Sequence, residues 1–194
     1  MTEIHESGMI FRFPDTDCFR IESDPAVAKL SNVKVCECVA AIKTGNKDHI
    51  VFLEAKSSAP KEKVCRRELV VYDGAPLPDT WDIITDFDRF VSEICQKFED
   101  SFSTFHAISH GRHGKDAADR LPAGCNSIDS ASPMFVLVIS GFREEWLAPL
   151  NDAIKRRLRH FLNAWKIRDT AVKTLTPAGA GTAGLPIVCP TPLP

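Results

Sequence analysis

The sequence predicts an α/β domain in which helices flank a mixed central sheet, and three patterns support this. Two β-prone runs enclose a Gly-Asn turn at residues 45–46, as in a hairpin. Two long segments repeat apolar residues at steps of three and four, as amphipathic helices do. A continuous apolar run at residues 133–140 separates these segments and is typical of a strand covered on both faces. Strands that alternate with helices favour a layered α/β fold.

Turn and cap residues divide the first part of the chain. Pro, Asp and Thr supply turn chemistry after a short first strand. Ser23 or Asp24 is placed to cap a short helix that ends at Leu30. In chain order we predict a strand at residues 9–13, a turn at 14–17, hairpin strands at 33–43 and 49–56, and a polar, proline-containing loop at 57–79.

Apolar stripes define the elements of the second part. The first long helix is expected to begin at Asp79 or Thr80 and to end near Gly111. The second helix is expected at residues 144–165, and an edge strand at 171–175. The stripe of the first helix comprises Phe87, Phe90, Val91, Ile94, Phe98, Phe102, Phe105 and Ile108, and that of the second comprises Trp146, Leu147, Leu150, Ile154, Leu158, Phe161, Leu162 and Trp165.

A single α/β domain is expected to cover residues 1–176. The chain of 194 residues is long enough to bury a core without disulfides or a structural metal. Residues 111–132 are small and polar and have no periodicity, which predicts a mobile surface loop. Residues 177–194 are rich in Pro, Gly and Ala, which predicts an extended or disordered tail.

Composition limits the partners and the compartment of the protein. Its 24 Lys and Arg residues against 26 Asp and Glu give a net charge of −2, so any contact with nucleic acid must be local. No apolar run approaches the ~20 residues of a membrane helix, and the first residues do not resemble a secretory signal. Seven cysteines without a CxxC pair favour buried, reduced thiols. We therefore expect a cytoplasmic protein that does not enter a membrane.

Charged residues interrupt both strands of the predicted hairpin. By the period of two, Glu54 and Lys56 share one face of the second strand, and Glu37 shares a face with Val39 in the first. A carboxylate in an apolar row costs free energy unless it is paired or binds a metal. If the register places both glutamates on one face, two carboxylates and one ammonium group converge. If it does not, Glu54 and Lys56 form a solvated pair on an edge strand, and Glu37 lies on the opposite face.

Two carboxylates close together suit a hard divalent cation. Mg²⁺ or Mn²⁺ takes oxygen ligands and removes the repulsion between the two negative charges. Such an ion polarises a phosphoryl oxygen and lowers the pKa of a bound water, and a nearby lysine positions the water and stabilises negative charge. The constellation therefore supports phosphodiester hydrolysis, with Glu37 and Glu54 as metal ligands and Lys56 as the third catalytic residue.

The segments VKVCECVAAI and VFLEAKSS, with the Gly-Asn turn between them, resemble the PD-(D/E)XK nuclease superfamily. Members carry an acidic residue on one hairpin strand and a (D/E)xK motif on the next. By this resemblance Glu37 matches the first acid, and Glu54 and Lys56 match the motif. The chain departs from the usual Pro-Asp, because its first acid is a glutamate that follows Cys36. The resemblance covers the hairpin closely and the element order of residues 20–175 loosely, and it implies a restriction-endonuclease-like core and a magnesium-dependent nuclease.

Further candidate residues lie outside this motif. Glu22 resembles an additional glutamate that some members contribute from their first helix. Gln96 and Lys97 lie beside the apolar stripe of the long helix, where such residues reach a scissile phosphate or only border the core. Two basic clusters are candidates for phosphate contact, although the second also fits the solvated face of a helix. The first comprises Lys61, Lys63, Arg66 and Arg67, and the second comprises Lys155, Arg156, Arg157, Arg159 and His160.

The sequence therefore predicts a metal-dependent nuclease that acts on nucleic acid, on DNA rather than RNA. Because its net charge is slightly negative, we expect it to work with a protein partner or as a homo-oligomer. A role in bacterial defence is an expectation by analogy alone. The alternative is a catalytically inactive, nuclease-like interaction or regulatory subunit that docks through the Trp-containing last helix and the apolar tail.

Overall fold

The computed structural model describes residues 1–45, 47–60, 86–127 and 131–188. A five-stranded mixed sheet forms its centre. In spatial order the strands are β3 (Cys18–Phe19), β4 (Cys38–Thr44), β5 (Lys47–Lys56), β6 (Ser132–Ile139) and β7 (Val172–Leu175). The first three strands pair antiparallel, whereas β5, β6 and β7 run parallel.

The two long helices connect the parallel strands and cover one face of the sheet, whereas the short last helix packs in the core on the opposite face. The helices are α1 (Asp86–Ser109), α2 (Lys115–Ala118), α3 (Leu147–Ala164) and α4 (Pro177–Thr182). Because parallel strands need a crossover, α1 lies between β5 and β6 in the chain, and α3 lies between β6 and β7. The buried stripes of α1 and α3 belong to one core with Phe52 and Phe135 of the sheet.

A second, three-stranded antiparallel sheet covers the opposite face. It consists of β1 (Thr2–Glu6), β2 (Met9–Phe13) and β8 (Ile187–Val188), with β2 in the middle. Its buried side chains pack with Val51, Leu53 and Ala55 of β5. Strand β5 is therefore covered on both faces, since its alternate side chains enter two different cores.

Aromatic rings join β5 to the helices. The ring of Phe52 stacks on that of Phe135 at a centroid distance of 5.3 Å. It also contacts Phe102 at 5.5 Å and Phe105 at 5.9 Å, both from α1. Such aromatic pairs add to the free energy of burial, and they fix the position of α1 over the centre of the sheet.

The main predicted elements are confirmed. The hairpin forms as β4 and β5, with Gly45 in the left-handed conformation at φ 61° that the turn requires. Its first strand begins at Cys38 and not at the predicted residue 33. The apolar run forms β6, the edge strand forms β7, and most residues of both helical stripes are buried, although Trp165 at the end of the second stripe is 48% exposed. The predicted start of the first helix at Asp79 or Thr80 lies outside the described residues.

Two predictions near the N-terminus are wrong or incomplete. The short helix ending at Leu30 is replaced by a 3₁₀ turn at Ile21–Ser23 and a series of turns. The carboxylate of Asp24 accepts the backbone N–H of Ala26 at 2.8 Å and pairs with Arg120, which holds the chain in a turn. Strand β1 is not predicted at all, although its pairing partner β2 is.

Residues 111–132 differ from the predicted mobile loop in their described part. They contain α2 and a 3₁₀ turn at Ala123–Ser127, and Leu121 and Cys125 are buried. The N–H of Gly124 donates to the carbonyl of Thr16 at 2.8 Å. A Cβ atom at Gly124 would come within 2.7 Å of the carboxylate of Asp17, so only glycine allows this close approach. Tertiary contacts rather than helical periodicity order this segment.

The tail also differs from the prediction. Residues 177–188 form α4 and β8 instead of an extended or disordered segment. The hydroxyl of Thr176 caps α4 by accepting the N–H of Gly179, and Ala180 and Leu185 are buried. The prediction missed this because the segment is ordered by its pairing with β2, which its composition does not reveal. No helix among the described residues is long and apolar enough to span a membrane.

Removal of the ring at Phe52 tests the aromatic junction. We expect Phe52→Ala to lower the free energy of unfolding by about 3–5 kcal/mol, because the fully buried ring leaves a cavity between β5 and α1. Chemical denaturation measures this loss. Phe142→Ala removes a partly buried ring and should cost clearly less; equal losses in the two variants would contradict the assignment of Phe52 as the junction.

Candidate functional site

Glu54 is the charged residue of the central strand. It lies near the end of β5 on the same face as Phe52, and it is 0% exposed. Its Oε1 accepts hydrogen bonds from Lys97 at 2.7 Å and lies 3.0 Å from Nζ of Lys56. Its Oε2 is buried and has no hydrogen-bond partner among the described residues. The carboxylate thus keeps one unused ligand atom.

Glu37 enters the site from the neighbouring strand. It lies directly before β4, and its N–H donates to the carbonyl of Leu53 at 3.1 Å. The regular register ends at the pair of Cys38 and Leu53, and Glu37 lies just beyond it. Nζ of Lys97 contacts both glutamates, which places them together on the helix-facing side. The alternative of a solvated edge pair is excluded, since Glu54 is buried in a central strand.

Helix α1 holds the chain segment that leads to Glu37. The N–H of Lys34 donates to the carboxylate of Asp100 at 2.9 Å, and the N–H of Cys36 donates to the hydroxyl of Ser101 at 2.7 Å. Ser101 lies one helical turn after Lys97, so the same face of α1 anchors this backbone and presents an ammonium group to the carboxylates. Hydrogen bonds from α1 to this backbone therefore position Glu37, although it precedes the regular strand.

Two lysines balance the two glutamates. Nζ of Lys97 lies 2.7 Å from Oε1 of Glu54 and 3.8 Å from Oε1 of Glu37, so it bridges the carboxylates. Lys56 contacts Glu54 and, at 3.8 Å, Glu93 of α1. Lys97 is mostly buried, whereas 27% of the Lys56 side chain is exposed. Lys56 therefore has the freer access to a molecule from solution.

Burial and like charge determine the protonation of the site. Burial raises the pKa of Glu37 to about 8, and the charges of Glu54 and Glu22 add to the rise. Burial also raises the pKa of Glu54, against the opposing effect of Lys97 and Lys56. Burial disfavours the charged form of Lys97, but the charge and hydrogen bond of Glu54 outweigh it and raise the pKa of Lys97. Near neutral pH the lysine is charged and Glu37 holds its proton.

The donor atoms of the site fit a hard divalent cation. The available ligands are carboxylate oxygens, including the unpartnered Oε2 of Glu54, and oxygen ligands suit Mg²⁺ or Mn²⁺. No cluster of three or more His, Cys, Asp or Glu residues that could hold a metal occurs within the described ranges. Magnesium commonly keeps several waters and needs only one or two carboxylates from the protein. Glu37 and Glu54 would be those two ligands.

The other predicted site residues lie at different distances from this centre. Glu22 is exposed, but its charge acts on Glu37. Gln96 is exposed on α1, and its side chain makes no hydrogen bond with any residue that the structure describes. Lys97, a secondary candidate in the sequence, is the closest partner of Glu54. The predicted phosphate-binding cluster of Lys61, Lys63, Arg66 and Arg67 lies outside the described residues.

The comparisons with known proteins add no relative. The chain matches no protein-family model, no curated protein and no solved structure. Its chemistry must therefore be argued from its own residues.

Replacement of Glu37 by glutamine tests the protonation of the site. The pKa of Glu37 is about 8 in the folded chain, against an ordinary value of 4.5, so the folded state retains a proton that the unfolded state loses. The native glutamate therefore loses stability as pH rises from about 4.5 to about 8, whereas glutamine does not. We expect Glu37→Gln to leave stability unchanged at pH 4 and to raise it increasingly up to pH 8.

Urea unfolding in EDTA at several pH values measures this gain. The exposed Glu144→Gln is the matched control, since it removes a carboxylate without changing a buried site. A gain that is already present at pH 4, or that the control shares, would contradict the raised pKa of Glu37.

Proposed function

We propose that the protein is a metal-dependent phosphodiester hydrolase of the PD-(D/E)XK type that acts on nucleic acid. One observation carries the proposal. Nζ of Lys97 lies 3.8 Å from Glu37 and 2.7 Å from Glu54, Lys56 lies 3.0 Å from Glu54, and one oxygen of Glu54 has no partner among the described residues. A buried carboxylate with an unused oxygen costs stability, and a bound cation would offset that cost.

The order of elements supports the proposal at the level of fold. The antiparallel strands β4 and β5 are followed by α1 and by β6, which runs parallel to β5. This order resembles a restriction-endonuclease-like core, and the paired glutamates lie where the hairpin strand β5 ends. Fold alone does not imply function, so the residues of the site carry the argument.

Each residue has a defined task in this mechanism. Glu37 and Glu54 would hold Mg²⁺ or Mn²⁺, which when bound polarises the phosphoryl group and makes a bound water more acidic. Lys56 is partly exposed and would position the attacking water and stabilise the negative charge of the transition state. Lys97 fixes the carboxylate of Glu54 by a 2.7 Å hydrogen bond and acts as a positioning residue.

Charge and cysteine usage extend the proposal to partners and compartment. With a net charge of −2, the chain would bind nucleic acid, DNA rather than RNA, together with a protein partner or as a homo-oligomer. The five described cysteines are free and buried, which suits the reducing cytoplasm. A bacterial defence role rests on analogy alone.

A second candidate is a catalytically inactive, nuclease-like interaction or regulatory subunit. The observation that favours it is the bridge from Lys97 to both glutamates, because an ammonium group there compensates the carboxylates without a metal. The two candidates differ in one measurable property: a nuclease site binds a divalent cation through Glu37 and Glu54, whereas a lysine-neutralised site does not.

Loss of cleavage in a Lys56 variant directly tests the proposed hydrolase activity. The purified chain should cut single- or double-stranded DNA, or RNA, in Mg²⁺ or Mn²⁺ and not in EDTA. We expect Lys56→Ala to lower the rate at least about a hundredfold, because it removes a charge that stabilises the transition state. The exposed Lys43→Ala should retain full activity. Metal-dependent cutting that persists in Lys56→Ala would contradict the assigned role.

Metal rescue of a Lys97 variant separates the two candidates. Lys97→Met breaks a buried pair and should lower the free energy of unfolding by about 3 kcal/mol in EDTA. If the glutamates are ligands, Mn²⁺ at about 100 times its Kd should restore about 2.7 kcal/mol of that loss. The matched control is the double variant Glu37→Gln with Lys97→Met, in which Mn²⁺ should restore little. An unfolding temperature of Lys97→Met that does not change when Mn²⁺ is added would favour the inactive subunit.

A further inference from the structure

A large cleft opens at the end of the central sheet that is remote from the glutamates. Its volume is about 1090 Å³, and its lining includes the first residues of β5, β6 and β7 and the end of α3. Glu54 and Lys56 lie near the other end of β5, and neither lines the cleft. Glu54 is seven residues beyond the lining residue Lys47, which corresponds to roughly 23 Å along a strand. The cleft is thus a separate site. Its size is that of cavities that bind small organic ligands.

Positive charge dominates the lining of this cleft. Four cations line it: Lys47, Lys166, Arg168 and Lys173. Asp48 is the acidic residue among the lining, and none of the four cations forms an ion pair within the described part of the chain. In a chain with a net charge of −2, this local concentration creates a positive potential that attracts an anion.

An aromatic platform lies beside these charges. Trp165 lines the cleft, and 48% of it is exposed, an unusual exposure for a large apolar side chain. The ring of His106 stacks on the indole at 5.2 Å with an interplanar angle of 25°, and Phe102 contacts it edge-on at 4.8 Å. The indole is therefore held rigidly while part of it remains open to a ligand ring.

The residue that terminates α3 is a lysine at the cleft, and its backbone has a left-handed conformation that favours glycine. Lys166 has φ 54°, and the N–H of Ile167 donates to the carbonyl of Leu162 at 2.8 Å, as in a helix-terminating Schellman motif. Glycine is the ordinary residue at this left-handed position. Replacement of Lys166 by glycine therefore removes the charge without disturbing the backbone, which makes a clean test possible.

We propose that this cleft binds a nucleotide unit, with its base stacked on Trp165 and its phosphate held by Lys166, Arg168 and Lys173. A flat ring and an anionic group are the two chemical features that the lining complements, and stacking on an exposed aromatic ring beside cations is a general mode of base binding. The nucleotide can be free or part of a single strand. The proposal does not depend on the hydrolase, since none of the hydrolytic residues lines the cleft.

Calorimetric titration of the full chain in EDTA and low salt tests the site. The probes are AMP, a six-residue oligothymidylate and a six-residue oligouridylate, with inorganic phosphate as the comparison. EDTA removes metal-dependent cutting, so the result is independent of the hydrolase. Quenching of tryptophan fluorescence by the bound probe, absent in Trp165→Phe, locates the base at Trp165.

Three variants and one control make the test specific. We expect Trp165→Leu, Lys166→Gly and Arg168→Gln each to weaken probe binding about tenfold, because each removes a stacking surface or a phosphate contact. Arg20→Gln is the matched control: it removes an exposed cation that lies outside the cleft, and it should bind as the native chain does. Unchanged thermal unfolding of Lys166→Gly shows that its loss of binding is not a loss of fold.

Each result decides the question. Binding of AMP as tight as that of the oligonucleotides supports a free nucleotide as the ligand, and binding of the oligonucleotides alone supports a single strand. An absence of binding by every probe at low salt overturns the proposal. Phosphate that binds as tightly as AMP with no loss in Trp165→Leu also overturns the proposal, as do equal losses in Arg20→Gln and Arg168→Gln. Both results indicate attraction by charge alone.

Discussion

The burial of one carboxylate, that of Glu54, is the constraint on which the arrangement of the molecule depends. The middle of strand β5 is covered by helices on one face and by the small sheet on the other, so the carboxylate of Glu54 has no access to water. An isolated buried charge is too costly to persist, and the fold compensates it with Lys56 from the same strand and Lys97 from α1. The position of α1 over the sheet is thus specified twice, by the aromatic packing of Phe52 and by this ion pair.

The buried carboxyl group of Glu37 lowers the folding stability of the same region. Burial raises the pKa of Glu37, and the charge of nearby Glu54 adds a repulsion that the single bridging lysine does not remove. A chain selected for stability alone would place an apolar residue there, as it does at Val39 and Phe52 on the same face. Groups with perturbed pKa values that converge from separate elements are typical of sites that bind or catalyse, which is why the glutamate pair carries the functional proposal.

Some of this site was predictable because strands have a period of two. The alternation alone placed Glu54 and Lys56 on one face and Glu37 beside Val39, and the Gly-Asn turn located the hairpin. Lys97 could only be placed beside the apolar stripe of its helix, because the rotation and height of α1 over the sheet depend on packing between distant residues. The cations of the second cleft come from separate elements and have no common pattern along the chain.

What the sequence determined by itself was local: the β-prone runs, the helical stripes, the turn, and the presence of charges where apolar residues are expected. The tertiary structure alone decided the approach of Glu37 and Glu54 to Lys97, the pairing of β8 with β2, and the order within residues 111–127. The physical reason is that hydrogen bonding within a helix or a turn joins neighbours in sequence. A short stretch of the sequence is therefore enough to predict it. Contacts such as those of Asp24 with Arg120 or Glu54 with Lys97 join residues far apart, and their energy depends on the whole packed fold.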